Sequence, residues 1–448
     1  MQRQKVDADR ISELHDEILI HILSLLRLEE AVRTSVLARR WRFLWTYLSS
    51  LRPPQQTMKL MLPHYVSEDR EIVEYINRYY QIFQIHQEKY INMYNQILQM
   101  HRADTLDEFK VFFELNADHK DHLDRWIAHV LCKKVNRIDI DLRHCPHHDK
   151  WYQFSYECFT LVQNPHCGVS SVKALKFLCL GNFSFSAPLI ENFLLNFPLL
   201  ENVVLFGSFD LMDLKVVGSS LRLNFLEIYA CSNLRIIEIS APNLVTFNCD
   251  FRNDTRVDIK HAPKLANVCI HGWNIEILSQ GFISLSSHLS QLETLRLDAF
   301  YMEFFCLPKL PELTSLRHLM ISVNPCWKIE NLFCFTPLIK ASPFLQKVTM
   351  QLRGRPNVNR EHLKHPSFTH QHLKVIEFDG FTGSVLDIEF AHHLLEIAVA
   401  LEEVIVTPFK IPKHSRKANA DLEEEMAVKQ AREEGMKLKE KLPPGAKL

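Results

Sequence analysis

Between Arg143 and Trp151 the chain reads RHCPHHDKW, so His144, Cys145, His147 and His148 crowd together, with Cys158, His166 and Cys167 close behind. Imidazoles and thiols are zinc ligands, and a closed structural site needs four of them at compatible spacing. No assignment of these seven side chains gives such a set. The stretch reads as a histidine-rich connection with two core cysteines, and no metal is expected from it. Other chemistry is equally hard to seat. The chain has no Gly-x-Ser-x-Gly elbow, no His-Glu-x-x-His helix and, with only 11 glycines, no phosphate-cradling loop. Its 23 histidines offer no Ser/His/Asp set that can be chosen without a fold. The paired acids Glu423 to Glu425 lie in a highly charged tail and read as a solvated face. The expectation is a protein without catalysis and without a cofactor.

The elements that could position binding residues are clearer. A chain of 448 residues, 47% hydrophobic and 23% charged, is foldable and long enough for several units or one additive array. A net charge of −1 argues against a nucleic-acid binder that works by counterion release. No apolar run approaches the roughly 20 residues of a membrane span, and MQRQKVDADR is too polar for a signal peptide. The eleven cysteines are scattered without a Cys-x-x-Cys pair, which reads as reduced thiols in a cytoplasmic or nuclear protein.

A leucine-led motif, Leu-x-x-h-x-h with h apolar, recurs from Leu106 onward. It occurs as LDEFKV (106), LKFLCL (175), LENVVL (200), LNFLEI (223), LRIIEI (234), LVTFNC (244) and LANVCI (265). It continues as LETLRL (292), LRHLMI (316), LQKVTM (345), LKVIEF (373) and LEEVIV (401), with VNRIDI (135) as a variant. The later members from Leu244 start 21 to 29 residues apart, the period of a leucine-rich repeat. Proline and asparagine turns precede many of them, as in SAPNL, HAPKL and SPFL. Leu234 and Leu244 are half a repeat from their neighbours, so one of the two belongs to an outer face. On each strand the two h positions point inward, and the residues flanking them point outward. That alternation exposes Tyr229, Asp250, His271, Arg296, Asp298, His318, Gln351, Glu377 and Asp379 on the concave side as candidate binding residues, against the plainer reading of an ordinary polar strand face.

Upstream of the array, Thr34 to Leu48 reads TSVLARRWRFLWTYL, dense in rings for so short a segment. Residues 9–51 resolve into three short helices, with stripes at Ile18, Ile22 and Leu25 or Leu26, at Ala31, Val32, Ser35 and Val36, and at Trp41, Leu44, Trp45 and Leu48. A unit of roughly 40 residues needs a neighbour or partner. Between it and the array, Ile72, Ile76, Tyr79 and Phe83 share one face of a bracing helix in 52–104.

The first of these segments resembles the F-box as found in a large plant family. The resemblance rests on Asp9, Arg10, Ile11, Ser12, Leu14, Asp16, Ile18 and Leu19, then on Ile22, Leu23, Ser24 and Leu25. It closes on Val32, Arg33, Thr34, Ser35, Leu37, Arg39, Arg40, Trp41, Arg42, Leu44 and Trp45. His15 departs from it, standing where the family has proline. Residues 372–409 resemble the FBD region that ends plant F-box/leucine-rich-repeat proteins, through Leu373, Lys374, Ile376, Gly380, Phe381, Gly383, Glu389, Leu394, Leu395, Glu396, Ala398, Leu401 and Glu402. There Phe381 and a Phe390–Leu394–Ile397 stripe are expected to cap the array.

The resemblance implies an α/β protein: a three-helix F-box (9–51), a helical linker (52–104), an irregular leucine-rich-repeat horseshoe (105–371), an FBD-type cap (372–409) and a charged helical tail (410–448). It implies the substrate receptor of a Skp–cullin–F-box ubiquitin ligase. The adaptor would meet Leu14, Ile18, Ile22, Leu23, Val36, Trp41 and Leu44, with Arg39 and Arg40 at the rim, and the repeats would hold a target protein. The plainer reading of Trp41 and Trp45 is packing within the chain. His15 keeps a second reading open, a repeat protein that sequesters a partner outside any ligase.

Overall fold

The structure is a computed structural model that describes residues 11, 13–51, 70–143, 151–154, 174–252, 255–272, 275–299, 310–323, 332–352, 368–409 and 420–448. Asp9, Arg10, Ser12 and the 144–167 histidine and cysteine cluster lie outside the described residues, as do the side chains of Ile72, Ile76, Tyr79 and Glu423 to Glu425. Two compact units divide the chain, Met1–Leu211 and Met212–Leu448.

The first unit opens with α-helices at Asp16–Ser24 and Leu28–Arg33, and then a 3-10 helix at Arg39–Tyr47. The third element is therefore tighter than the α-helix its spacing suggests. Trp41, Leu44, Trp45 and Leu48 nonetheless all turn inward, as that spacing predicts. A short strand β1 (Ser50–Leu51) follows, then the 31-residue helix Arg70–Met100. A parallel sheet runs in the order β1, β2 (Thr105–Phe112), β3 (Lys134–Asp141), β4 (Phe177–Gly181) and β5 (Asn202–Phe206). The helix Lys120–Leu131 joins β2 to β3, and Ala187–Asn196 joins β4 to β5. Tyr94 packs edge-on to Phe109 and tilted against Trp126, which fixes the long helix over the sheet. His101, just past that helix, bonds the Leu48 carbonyl through Nε2 at 2.9 Å, and Arg102 N–H donates to the Thr46 carbonyl. Those two bonds tie the N-terminal helices to the sheet. Cys132, at the end of the Lys120–Leu131 helix, is disulfide-bonded. That corrects the reading of all-reduced thiols, since scattered spacing cannot show which cysteines meet in space.

The second unit holds two parallel sheets. One runs β7 (Phe225–Tyr229), β9 (Thr246–Phe251), β11 (Asn267–Gly272), β12 (Thr294–Ala299), β13 (His318–Val323), β14 (Lys347–Leu352), β15 (Val375–Phe381) and β16 (Glu403–Pro408). The other is β10 (Arg256–His261), β8 (Ile236–Ser240) and β6 (Asp213–Val217). Leu234 leads into β8 and Leu244 into β9, so Leu234 is the outer-face member. Each motif leucine is buried, and its N–H commonly closes the preceding turn, as Leu244 does on Ala241, Leu265 on Ala262 and Leu345 on Ser342. Proline occupies the second turn position in all three, where its fixed φ is pre-set for a turn. Between the sheets lie Leu226, Phe247 and Ile270 from one side and Leu214, Ile237 and Val257 from the other, all buried.

At the C-terminal end, the helix Val385–Ile397 buries Phe390, Leu394 and Ile397. Ser384 accepts the Asp387 N–H at its start. The tail differs from the expected solvated helix. Ala420–Lys437 is helical, but Ala431 and Leu438 are buried, and Lys447 exchanges backbone bonds with Val404 and Glu402 beside β16. An apolar strip in an otherwise charged sequence is too short to show in composition.

Candidate functional site

Two surfaces carry the candidate binding residues. In the N-terminal helices the interior is filled by Leu19, Leu23, Leu28, Ala31, Trp41, Leu44 and Trp45. Of the residues expected to face an adaptor, Leu23, Trp41 and Leu44 are thus buried within the chain, where they support the surface from behind. Leu14 and Ile22 are half-buried, while Ile18, Val36, Arg39 and Arg40 are exposed. Helix Asp16–Ser24 therefore carries two apolar faces, Leu19 and Leu23 inward and Ile18 with Ile22 outward. Further apolar side chains stand in solvent beyond those expected: Ile11, Leu25, Leu26, Leu37, Phe43 and Tyr47. Val36 is 86% exposed and Leu37 68%, far more than an apolar side chain needs for folding. Arg40 reaches back to Asp16 at 2.7 Å, joining the third element to the first. His15 takes φ −61° and ψ 148° at the helix N-cap, the φ that proline would fix.

The second surface is the open face of the β7–β16 sheet. Register places Asp250, His271, Asp298, Ser322, Gln351 and Asp379 in one row, and Asn248, Cys269, Arg296, Met320, Thr349 and Glu377 in the next. Three expected residues meet: Asp298 lies 2.9 Å from His271 Nδ1 through one carboxylate oxygen and 2.9 Å from Arg296 Nε through the other. Burial alone would raise the Asp298 carboxyl, but those two hydrogen bonds outweigh it and hold the group below its ordinary pKa. Two more are linked through Thr349, which lies 2.9 Å from His318 Nε2 and donates to Glu377. Lys347 holds Glu377 at 2.7 Å and keeps its carboxyl below the ordinary value. Gln351 donates to Asp379. Asp250 accepts from the Ala230 N–H and from Arg252, and Tyr229 is half-buried at the end of β7. Sequence reading missed Cys269, whose Sγ lies 3.3 Å from His271 Nε2. The Cys-x-His spacing on a strand was the available signal, because alternation puts both on one face. Lys347 and Thr349 were missed too, since only register shows that they lie beside Glu377 and His318.

The model of the At1g61320/AtMIF1 LRR domain matches residues 97–435, most of the chain. The F-box domain model matches residues 11–52, the N-terminal helices just described. The chain belongs to the plant F-box/leucine-rich-repeat family. Among its relatives in Arabidopsis thaliana, F-box/FBD/LRR-repeat protein At2g26030 is 24% identical, over 79% of this chain and 78% of that one. F-box/LRR-repeat protein At3g58940 is 22% identical, over 90% of this chain and 67% of that one. A third relative, At5g44950, is 27% identical, and its match spans 58% of this chain and little more than half, 57%, of its own length. In this F-box/leucine-rich-repeat chain no helix among the described residues is long and apolar enough to cross a membrane.

Proposed function

We propose that the chain is a non-catalytic substrate receptor of a Skp–cullin–F-box ubiquitin ligase, its F-box held by a Skp-type adaptor and its repeats holding a target protein. The carrying observation is the surplus of apolar side chains on the F-box. The interior is complete without Ile18, Leu25, Val36 and Leu37, and their exposure lowers solubility unless a partner covers them. The rim would be Arg39 and Arg40, with Leu14 and Ile22 at the edge of the contact. The target-facing set would be Tyr229, Asp250, His271, Arg296, Asp298, His318, Gln351 and Glu377, on the open face of the second unit. The role is proximity: a receptor raises the effective concentration of a target lysine near the conjugating enzyme. Residues 372–409 would serve as the FBD-type end of the array, and the cytoplasm or nucleus would be the site of action.

The alternative is a repeat protein that sequesters a partner outside a ligase, which the His15 departure favours. Against it, His15 already holds proline's φ. Co-expression with a Skp-type adaptor decides between them. A one-to-one complex that is lost on Ile18→Glu/Val36→Glu, with the fold of the free chain intact, supports the receptor reading. Well-folded wild-type chain that makes no complex turns the reading to sequestration.

A further inference from the structure

The most concentrated ligand set among the described residues is not on the F-box but on β11 and β12. Cys269, His271 and Asp298 present one sulfur, one nitrogen and one oxygen, all within 4.8 Å of one another. The sheet builds the cluster from two features. Alternation puts Cys269 and His271 on the same open face of β11, and the parallel register sets His271 directly beside Asp298 on β12. The imidazole is oriented from both sides, with Nδ1 2.9 Å from the Asp298 carboxylate and Nε2 3.3 Å from the Cys269 sulfur. Arg296 holds the other Asp298 oxygen at 2.9 Å, so the carboxylate cannot rotate freely. Cys269 and Asp298 are buried while His271 is half-buried, which leaves one side of the cluster open to solvent.

We propose that Cys269 and His271 bind a zinc-like divalent ion on the open face of the repeat sheet, with Asp298 as the positioning residue. A ligating histidine characteristically gives its second ring nitrogen to a carboxylate, and that is the contact His271 makes with Asp298. The bite also fits. An ion at the usual ~2.3 Å from sulfur and ~2.0 Å from nitrogen would subtend about 100° across the observed 3.3 Å, near the tetrahedral angle. Binding displaces the thiol proton, since the thiolate is the ligand. The remaining coordination positions face outward, open to water or to a side chain presented at that face. The ion chosen is of borderline softness because one ligand is a thiolate and the other an imidazole, a pair that suits zinc over magnesium or calcium.

Cobalt(II) added to the full-length chain after chelator treatment tests the site, because cobalt replaces zinc and reports thiolate ligation by a sulfur-to-metal charge-transfer absorption. The expected result is a stoichiometric equivalent with that absorption, displaced by zinc. Cys269→Ser should lose that equivalent and its absorption, and Asp298→Asn should weaken binding about 10- to 100-fold with the absorption intact. Circular dichroism of each variant guards against misfolding, and the wild-type spectrum stands without any variant. Absence of the charge-transfer band in wild type, or a band and stoichiometry unchanged in folded Cys269→Ser, would overturn the proposal and leave the cluster as a hydrogen-bonded brace between two strands.

Discussion

Gly380 lies directly against the Leu352 carbonyl: a Cβ built on it would come within 2.0 Å of that oxygen, and its φ is +85°. Both features exclude a side chain, because L-residues are strained at that φ and the clash is with backbone that cannot turn aside. Gly380→Ala is expected to cost about 3 kcal/mol or more, combining strain with displacement of β14 from β15. Gly445→Ala is the control. Its φ is +93° but nothing lies within 4 Å, so it should cost only about 1 kcal/mol. Equal losses of thermal midpoint in the two variants would contradict the packing argument.

The F-box separates folding from binding. Trp41→Ala should destabilise the N-terminal helices by about 3–5 kcal/mol, since the indole is buried, whereas Val36→Glu should leave stability within about 0.5 kcal/mol. His15→Pro should stabilise by about 0.4–1 kcal/mol, because the native φ of −61° already suits proline and the unfolded chain loses freedom. Limited proteolysis of the free chain reads all three. Protection of Val36→Glu equal to wild type, with adaptor binding retained, would remove that residue from the proposed contact.

A pH dependence follows from His129. Burial, reinforced by the nearby Lys133 and His101 charges, lowers its pKa from 6.5 to about 4. A histidine lowered in the folded state takes up its proton more readily when unfolded, so its contribution is fully present above pH 6.5 and is lost as pH falls through about 4. His101, which bonds the Leu48 carbonyl, is lowered as well, by burial first, so acid also weakens the junction between the F-box and its sheet. Urea midpoints at pH 7 and pH 4.5 should therefore converge in His129→Leu more than in wild type. An unchanged difference would show that other groups set the acid limb.

Removing residues 410–448 should lower the thermal midpoint and produce concentration-dependent association. Without the tail, Val404 loses its bond to the Lys447 carbonyl and β16 becomes a bare strand edge. Light scattering on the truncated chain checks this. A monomer at all concentrations would mean that β16 protects its own edge.

Much of the fold was legible because the leucine-rich motif states inward positions residue by residue. Every member from Leu106 to Leu401 leads into a strand. Strand β10 escaped because RVDIKH carries the alternation without a leading motif leucine, whereas β6 was missed although LMDLKV, from Leu211, has the motif spacing. In the F-box, periodicity placed Ile18 and Ile22 on one face but could not say that Leu23, one position on, closes the interior. Alternation correctly gathered His271, Arg296 and Asp298 on one face. Which of them touch, and that Cys269 joins them, depends on cross-strand register, and that is fixed by packing between repeats far apart in sequence.

The alternation of β6 with β7, β8 with β9 and β10 with β11 bears on curvature. Strands pack about 4.8 Å apart while helices need about 10 Å, so a coil with a strand on one side and a helix on the other must fan open. Where both sides are strands the two spacings match, and successive coils stack with little bend. From Asp213 to Gly272 the second unit thus sets strand opposite strand, and the helix Ile275–Ser284 is where the spacing mismatch that favours bending enters. His271 on β11 and Asp298 on β12 stand on either side of that helix in the chain, so the change from strand-backed to helix-backed coils falls between them.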